Sequence, residues 1–254
     1  MRSCDETLDA LFDGRLALYQ SRAGYRFSLD ALLLAHFVTV KGAARIVDLG
    51  TGNGVIPLIL ADLHPLVHVT GIEVQPAMAE RACRNIQLNR LRQRIEIVRG
   101  DVRNCKDMGG GASFDGAVCN PPYRKSTSGR LSANHERQLA RHEMAGTLED
   151  FLGAGAFLLR PKGSMAVVYP AVRGTDLLTA MRRTQIEPKR LRTVHSFAGT
   201  EASLLLVEGV KSGRSGLKVL APLTIYLSRH QYTDEIAAMI AGARRQLWPS
   251  RAQA

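Results

Sequence analysis

Short segments rich in β-branched residues alternate with longer amphipathic segments, and this alternation restricts the possible folds most strongly. Five segments have the composition of strands: 44–49, 67–73, 94–98, 114–119 and 164–169. The spacing of apolar residues predicts helices over 55–61 and 76–89. Strands that alternate with helices predict an α/β fold, with a mostly parallel sheet that carries helices on both faces. Ligands of such sheets bind beyond the carboxyl ends of the strands.

The composition is that of a globular protein. With 254 residues, of which 45% are hydrophobic and 22% charged, the chain can bury a core without disulfides or metal. The four cysteines are far apart and form no C-x-x-C pair, which argues against a zinc site and against a disulfide framework. Neither a secretory signal nor an apolar run of about 18 residues is evident. We therefore expect a cytoplasmic protein that binds neither metal nor membrane.

We expect the chain to form a single domain in three parts. These are an N-terminal cap segment, a cofactor-binding core, and a C-terminal strand and helix: 1–40, 41–210 and 211–254. A polar turn at 211–216 predicts that 204–210 pairs with 217–226 as two antiparallel strands, which would close the sheet edge. A helix is predicted over 232–247, with Thr233 as its N-cap.

The two halves of the chain differ in charge. Residues 1–119 contain 14 basic and 13 acidic side chains, whereas 120–254 contain 20 basic and 10 acidic ones, and the formal charge of the chain is +11. A basic half beside a nearly neutral half indicates a surface that faces nucleic acid, joined to a domain that binds a small molecule. The alternative is a basic surface without a specific partner.

A glycine-rich turn, Gly50 to Gly54, joins the first predicted strand to the next helix. Glycine lets the backbone turn sharply and approach a ligand closely. Val55 stands where the dinucleotide fingerprint needs Gly or Ala, and no G-K-[ST] follows, so dinucleotides and nucleoside triphosphates are excluded as ligands. Asp48 lies just before the turn, and Glu73 closes the second strand, where a carboxylate can accept both hydroxyls of a ribose.

The sequence Asn120-Pro121-Pro122-Tyr123 follows the fourth predicted strand. The two prolines fix φ and lack N–H groups, so carbonyl oxygens face outward without a competing donor. An Asn side-chain oxygen and a proline carbonyl can then accept both hydrogens of a planar –NH₂ group, while Tyr123 offers a face for stacking. The alternative is a strand that ends in proline and carries a surface tyrosine.

The pattern Asp-x-Gly-x-Gly-x-Gly, with an acid that closes the second strand, resembles the S-adenosylmethionine (SAM) site of class I methyltransferases. The resemblance implies a Rossmann-like sheet of seven strands, mostly parallel, with an antiparallel hairpin at its edge. It implies SAM as the cofactor and S-adenosylhomocysteine as the product; carboxylates suit SAM because it carries a sulfonium and an ammonium. Asp101 would bind the adenine amino group, and Phe27 and Asp30 would help to cover the cofactor. The implied cofactor-binding residues are Phe27, Asp30, Asp48, Gly50, Thr51, Gly52, Asn53, Gly54, Glu73, Val74, Asp101, Val102 and Asn120.

The Asn-Pro-Pro-Tyr motif resembles that of the amino-N methyltransferases, which act on a planar amine or amide nitrogen. Segments 24–35, 137–143 and 231–235 are similar to the bacterial tRNA-Val adenine-37 N6-methyltransferase family. The resemblance implies methyl transfer to adenine N6 in tRNA, with a catalytic pocket of four residues: Asn120, Pro121, Pro122 and Tyr123. Three alternatives stay open: a protein glutamine N5-methyltransferase, an rRNA base N-methyltransferase, and a non-catalytic RNA-binding module.

Basic residues interleaved with Ser, Thr and Gly follow the motif. They form a candidate substrate-binding loop: Arg124, Lys125, Arg130, Arg137 and Arg141. A basic loop beside the pocket predicts contacts with RNA phosphates, and its alternative is a solvated loop. A second basic cluster, at 182–192, is predicted to face more distant parts of an RNA. The sequence predicts no oligomeric state.

Overall fold

A β-hairpin precedes the main sheet. The computed structural model describes residues 6–22, 29–107, 109–122 and 146–243. The hairpin consists of two antiparallel strands, β1 (Glu6–Leu11) and β2 (Leu16–Ser21). This hairpin was not predicted, although Asp13-Gly14 between two alternating segments is a hairpin signal. Both residues adopt a positive φ, 53° and 86°.

Five parallel strands make up one part of the main sheet, and all five were predicted. They are β3 (Arg45–Leu49), β4 (His68–Glu73), β5 (Ile95–Arg99), β6 (Phe114–Cys119) and β7 (Leu159–Pro170). Their order in the sheet is β5-β4-β3-β6-β7. β4 lies on one side of β3 and β6 lies on the other, so the order of the strands reverses at β3. A crevice for a ligand is therefore expected beyond the carboxyl end of β3.

Antiparallel pairing begins beyond β7. Five further strands are present: β8 (Ile186–Phe197), β9 (Ala202–Lys211), β10 (Lys218–Val219), β11 (Leu223–Ser228) and β12 (Gln231–Tyr232). β9 runs antiparallel to both β7 and β8, whereas β10 and β11 pair in parallel with β8. Seven of these strands, in the order β5-β4-β3-β6-β7-β9-β8, match the predicted seven-stranded sheet with an antiparallel hairpin, and β10, β11 and β12 extend it to ten strands.

The predicted pairing of 204–210 with 217–226 is wrong, because β8 lies between these segments. The charged residues of β8 concealed its strand character. Arg192, for example, is only 5% exposed and pairs with Glu235 at 2.7 Å. A buried and neutralised arginine cannot be distinguished from a surface arginine by its sequence pattern.

Helices cover both faces of the sheet. They are α1 (Leu29–Phe37), α2 (Val55–Leu63), α3 (Pro76–Leu88), α4 (Leu148–Leu158), α5 (Gly174–Arg183) and α6 (Asp234–Ile240). Alternate strand residues enter two cores: Ile46 and Val118 pack with α1, α2 and α6, whereas Val47 and Cys119 pack with α4 and α5. None of the helices in the described residues is long and apolar enough to cross a membrane.

The last helix is shorter than predicted. The Thr233 hydroxyl accepts a hydrogen bond from the Ile236 N–H, as expected of the N-cap. The helix then ends at Ile240, and residues 241–243 are not helical. Gly242 has a φ of +70°, in the left-handed region where glycine commonly ends a helix.

Candidate active site

The loops that follow β3, β4, β5 and β6 form the candidate site. Leu49 lies opposite both Ile72 and Cys119, so the residues after these three come together at one edge of the sheet. These following residues are Gly50, Glu73 and Asn120. The loop that carries Asp101 follows β5, which pairs with β4. The fold thus gathers at one edge the loops on which the sequence predicted a site.

The turn after β3 requires glycine. The backbone φ is +73° at Gly50, +58° at Gly52 and +80° at Gly54, a region that L side chains rarely adopt. A Cβ on Gly50 would lie 2.9 Å from the Phe151 ring, and one on Gly54 would lie 3.1 Å from the Ala82 Cβ. Both the left-handed backbone and the close neighbours therefore hold this turn in one conformation.

Glu73 ties the turn after β3 to the turn after β4. Its side chain is buried, and its two oxygens accept hydrogen bonds from the N–H groups of Gly52 and Gln75, each at 2.8 Å. Burial raises the pKa of the Glu73 carboxyl, while these backbone donors oppose the shift. Since each carboxylate oxygen has a second lone pair, Glu73 can still accept hydrogen bonds from a ligand.

Buried polar atoms around the turn lack hydrogen-bond partners among the residues that the structure describes. They are both carboxylate oxygens of Asp48, the hydroxyl oxygen of Thr51, and the side-chain oxygen and nitrogen of Asn53. Asp48 is 0% exposed and Asn53 is 1% exposed. Buried polar groups are almost always hydrogen-bonded, and an unpaired one destabilises the fold. The cluster indicates a site that a polar ligand completes.

The charge state of Asp48 indicates the kind of ligand. Burial raises the pKa of its carboxyl to about 7, and the charge of Glu73 adds to this shift. The nearby Thr51 hydroxyl lowers the pKa of the Asp48 carboxyl and so opposes this shift, although the two groups do not meet the geometry of a hydrogen bond. A cation near Asp48 would favour the ionised form. The residues present therefore suit a ligand that carries positive charge.

We expect Asp48 to make the ligand-free protein less stable as the pH rises. Its carboxyl pKa is about 7 in the folded chain against 3.8 ordinarily, so between these pH values the folded state retains a proton that the unfolded state has released. The free energy of unfolding should fall by up to about 4 kcal/mol from this group between pH 4 and pH 8. Urea unfolding of the wild type and of Asp48→Asn across this range measures the effect.

The difference in the free energy of unfolding between the wild type and Asp48→Asn should be near zero at pH 4 and largest at pH 8, where Asp48→Asn should be the more stable protein. Asp115→Asn is the matched control. Asp115 lies at the amino end of the neighbouring strand β6, where it pairs with Arg160. A difference between wild type and Asp48→Asn that does not change with pH would contradict the burial argument.

Asp101 is held by an arginine that the sequence analysis missed. Its carboxylate accepts a hydrogen bond from the Arg103 N–H at 2.9 Å and pairs with the Arg103 guanidinium at 2.5 Å. The guanidinium lowers the pKa of the Asp101 carboxyl. The spacing Asp-x-Arg in the sequence could have predicted the pair of Asp101 and Arg103. A ligand amino group at Asp101 would have to share these oxygens with Arg103.

The remaining predicted residues fall into two groups. Asn120 and Pro122 are half-buried after β6, and Pro121 between them is buried. Val74 is half-buried beside Glu73, Val102 is buried after Asp101, and Asp30 is half-buried on α1. Seven predicted residues lie outside the described residues: Phe27, Tyr123, Arg124, Lys125, Arg130, Arg137 and Arg141.

The second basic cluster is largely engaged within the protein. Arg190 pairs with Glu208 at 2.6 Å, and Arg192 is buried against Glu235. Lys189 donates a hydrogen bond to the Arg214 carbonyl at 2.7 Å. The expectation that this cluster faces RNA is therefore wrong for Arg190 and Arg192. Arg190 pairs with the buried Glu208 and joins β8 to β9, and Arg192 pairs with Glu235 and joins β8 to α6.

The strand order, the glycine turn between two buried carboxylates and the Asn-Pro-Pro loop beside it define a Rossmann-like methyltransferase fold. The family model described as "Methyltransferase small domain" matches residues 28–184. A protein from Porphyromonas gingivalis named tRNA1(Val) (adenine(37)-N6)-methyltransferase is 32% identical over 195 residues, which cover 74% of this chain and 76% of the relative. The chain belongs to the methyltransferase small domain family and to the family of this relative.

Further matches agree with this assignment. A protein of the same name from Phocaeicola vulgatus is 28% identical over 225 residues, covering 89% of this chain and 93% of the relative. A crystal structure of a predicted O-methyltransferase from Agrobacterium tumefaciens has a TM-score of 0.70 at 24% identity, and the match covers 85% of this chain and 97% of that one. This structural similarity supports the fold alone.

Proposed function

We propose that this protein transfers a methyl group from SAM to the exocyclic N6 of an adenine in tRNA. The observation that carries the proposal is the cluster of buried polar atoms at Asp48, Thr51 and Asn53, at the end of β3 and in the turn next to Asn120, which lack hydrogen-bond partners among the described residues. The names of the relatives give adenine 37 of a valine tRNA as their substrate, and we propose the same nucleotide here. A tRNA substrate agrees with a cytoplasmic location.

The residues around the glycine turn fit SAM. Asp48 offers a buried carboxylate whose ionised form a sulfonium or an ammonium would stabilise. Glu73 has lone pairs for the two ribose hydroxyls, and Asp101 can accept a hydrogen bond from the adenine amino group. When bound, SAM supplies a methyl group on a sulfonium, which is already a strong electrophile. S-adenosylhomocysteine is the product.

The Asn-Pro-Pro loop would orient the amine that is methylated. The Asn120 side-chain oxygen and the Pro121 carbonyl can accept the two N6 hydrogens, since proline has no N–H group to compete. These hydrogen bonds would draw the nitrogen lone pair out of conjugation and point it at the methyl carbon. With SAM bound, the methyl group would pass from the sulfonium to N6, and the extra proton on N6 would be lost to water. Catalysis is therefore mainly orientation, and it needs no strong base.

We expect the basic loop to contribute phosphate contacts. In the triple variant Arg124→Ala, Lys125→Ala, Arg130→Ala, the slope of log Kd for tRNA against log salt should fall by about 2, because each lost phosphate contact removes about 0.7 for a single strand. Fluorescence titrations from 50 to 200 mM salt would measure it. The matched control changes Lys41, Arg45 and Arg92 to Ala. Arg45 is the first residue of β3, and the other two precede β3 and β5, so all three lie at the opposite edge of the sheet. Equal slopes in wild type and in the loop variant would contradict the assignment.

Mass spectrometry of modified nucleosides tests the proposed function. Valine tRNA from a strain that lacks the gene should contain no N6-methyladenosine at position 37, and the purified protein with SAM should restore it. Methylation of rRNA would instead support the rRNA alternative, and methylation of a protein glutamine would support the glutamine alternative. Failure to bind SAM in a calorimetric titration would support the non-catalytic RNA-binding alternative.

A further inference from the structure

One stripe of α3 contacts both the glycine turn and the N-terminal hairpin. A Cβ on Gly52 would lie 3.6 Å from Met78, and one on Gly54 would lie 3.1 Å from Ala82, so the first two turns of α3 pack directly on the glycine turn. One helical turn further along the same stripe lies Asn85, and one turn beyond it lies Asn89.

Asn85 bridges the two structures. Its side-chain nitrogen donates to the carbonyl of Asn53 in the glycine turn at 2.9 Å and to the carbonyl of Tyr19 in β2 at 3.1 Å. Its side-chain oxygen accepts from the Tyr19 N–H at 2.6 Å. The side chain is 0% exposed. One buried amide thus satisfies three backbone groups that belong to two separate segments.

Asn89 docks the hairpin without touching the glycine turn. Its side-chain oxygen accepts from the Ala17 N–H at 2.9 Å, and its nitrogen donates to the Ala17 carbonyl at 2.6 Å. Asn89 therefore makes the same pair of hydrogen bonds to β2 as Asn85 does, two residues earlier in the strand. Only Asn85 adds the bond to Asn53.

Ion pairs hold the other end of the hairpin to the same helix. Glu6, which is 2% exposed, pairs with Arg81 at 2.8 Å and with Arg84 at 2.6 Å. The hairpin is thus fixed to α3 at both ends. Asn85 therefore links the glycine turn to a hairpin that is itself held on α3.

From these contacts we infer that Asn85 is a positioning residue for the cofactor turn, and that its own side chain is held in place by β2 of the N-terminal hairpin. The inference rests on the proposed function, because it takes SAM as the ligand of the turn. The Asn85 side chain fixes the Asn53 carbonyl, and with it the backbone between Gly52 and Gly54, in the conformation that the ligand needs. Without this bond the turn must reorganise when the ligand binds, and affinity falls.

Asn85→Ala and Asn89→Ala provide a matched test. Both substitutions remove two hydrogen bonds to β2, so both should lower the melting temperature. Only Asn85→Ala should raise the Kd for SAM and for S-adenosylhomocysteine, by about tenfold or more, with Asn89→Ala within about twofold of the wild type. Isothermal titration calorimetry well below each melting temperature measures Kd for the folded fraction. If Asn85→Ala does not fold, Asn85→Ser takes its place with the same expected direction.

Hydrogen exchange of the ligand-free proteins provides a second measurement, independent of SAM. Amides in residues 50–56 should exchange faster in Asn85→Ala than in Asn89→Ala. Equal Kd values and equal exchange in the two variants would overturn the inference and leave the proposed function standing, since the wild type would still bind SAM. A wild type that does not bind SAM would overturn both.

Discussion

Asn120→Ala is expected to lower kcat by about a thousandfold while the Kd for SAM stays within about twofold of the wild type. Alanine removes the side-chain oxygen that would accept a hydrogen from the target amine, so the lone pair of the amine is no longer aimed at the methyl carbon. The backbone of the neighbouring turn is held by Glu73 and by its own glycines, which the substitution does not touch. Single-turnover kinetics with a valine tRNA stem-loop and calorimetry with SAM separate the two effects.

Asn104→Ala is the matched control for this experiment. Asn104 is exposed and lies at the end of the short 3-10 turn after Asp101, at the same edge of the sheet. Its removal should leave kcat unchanged. If Asn120→Ala instead weakened SAM binding a hundredfold with kcat preserved at saturation, Asn120 would be a cofactor residue and its role toward the amine would be wrong.

Glu73→Gln is expected to raise the Kd for SAM by about a hundredfold or more, the second largest effect. The Glu73 carboxylate accepts hydrogen bonds from two backbone N–H groups, those of Gly52 and Gln75. A glutamine amide has only one oxygen, so its NH₂ group would face one of these donors and displace a turn. The substitution also removes an acceptor for the ribose hydroxyls. Calorimetry with SAM measures the loss.

Glu96→Gln provides the control, because Glu96 lies in the neighbouring strand β5, away from its carboxyl end. It should bind SAM as the wild type does. A Kd within about threefold of the wild type for Glu73→Gln would show that this carboxylate neither shapes the turn nor contacts the ligand. Circular dichroism of both variants would establish that a loss of binding is not a loss of fold.

The sequence predicted the parallel half of the sheet because its signals are local. A buried parallel strand has a short apolar run, and the glycines and prolines that follow β3 and β6 mark where each strand ends. The positions of Asp48 and Glu73 could be predicted for the same reason, since Asp48 is the second-to-last residue of β3 and Glu73 is the last residue of β4. The fold then brings these strand ends to one edge, as the alternation of strands and helices requires.

The features of the fold and of the site that were not predicted depend on pairing between residues that are far apart in the sequence. The strand β8 was missed because Arg192 neutralises Glu235, which lies 43 residues away along the chain. Neither this pairing nor the hydrogen bonds of Asn85 to the hairpin and the glycine turn leaves a pattern in the sequence. The Asp48 carboxylate lacks a hydrogen-bond partner within the part of the chain that the structure describes. This is likewise a property of the packed structure, and it gives the cofactor proposal its physical basis.

The pocket after β6 would present an exocyclic adenine amine to a methyl donor held in the glycine turn, so the atom that receives the methyl group reports on the proposed site. The most direct test incubates the purified protein with SAM carrying a deuterated methyl group and an unmodified valine tRNA anticodon stem-loop, followed by mass spectrometry of the nucleosides. We expect the label to appear as N6-methyladenosine at position 37. Label on adenine N1 or C2, or on protein and not on RNA, would contradict it.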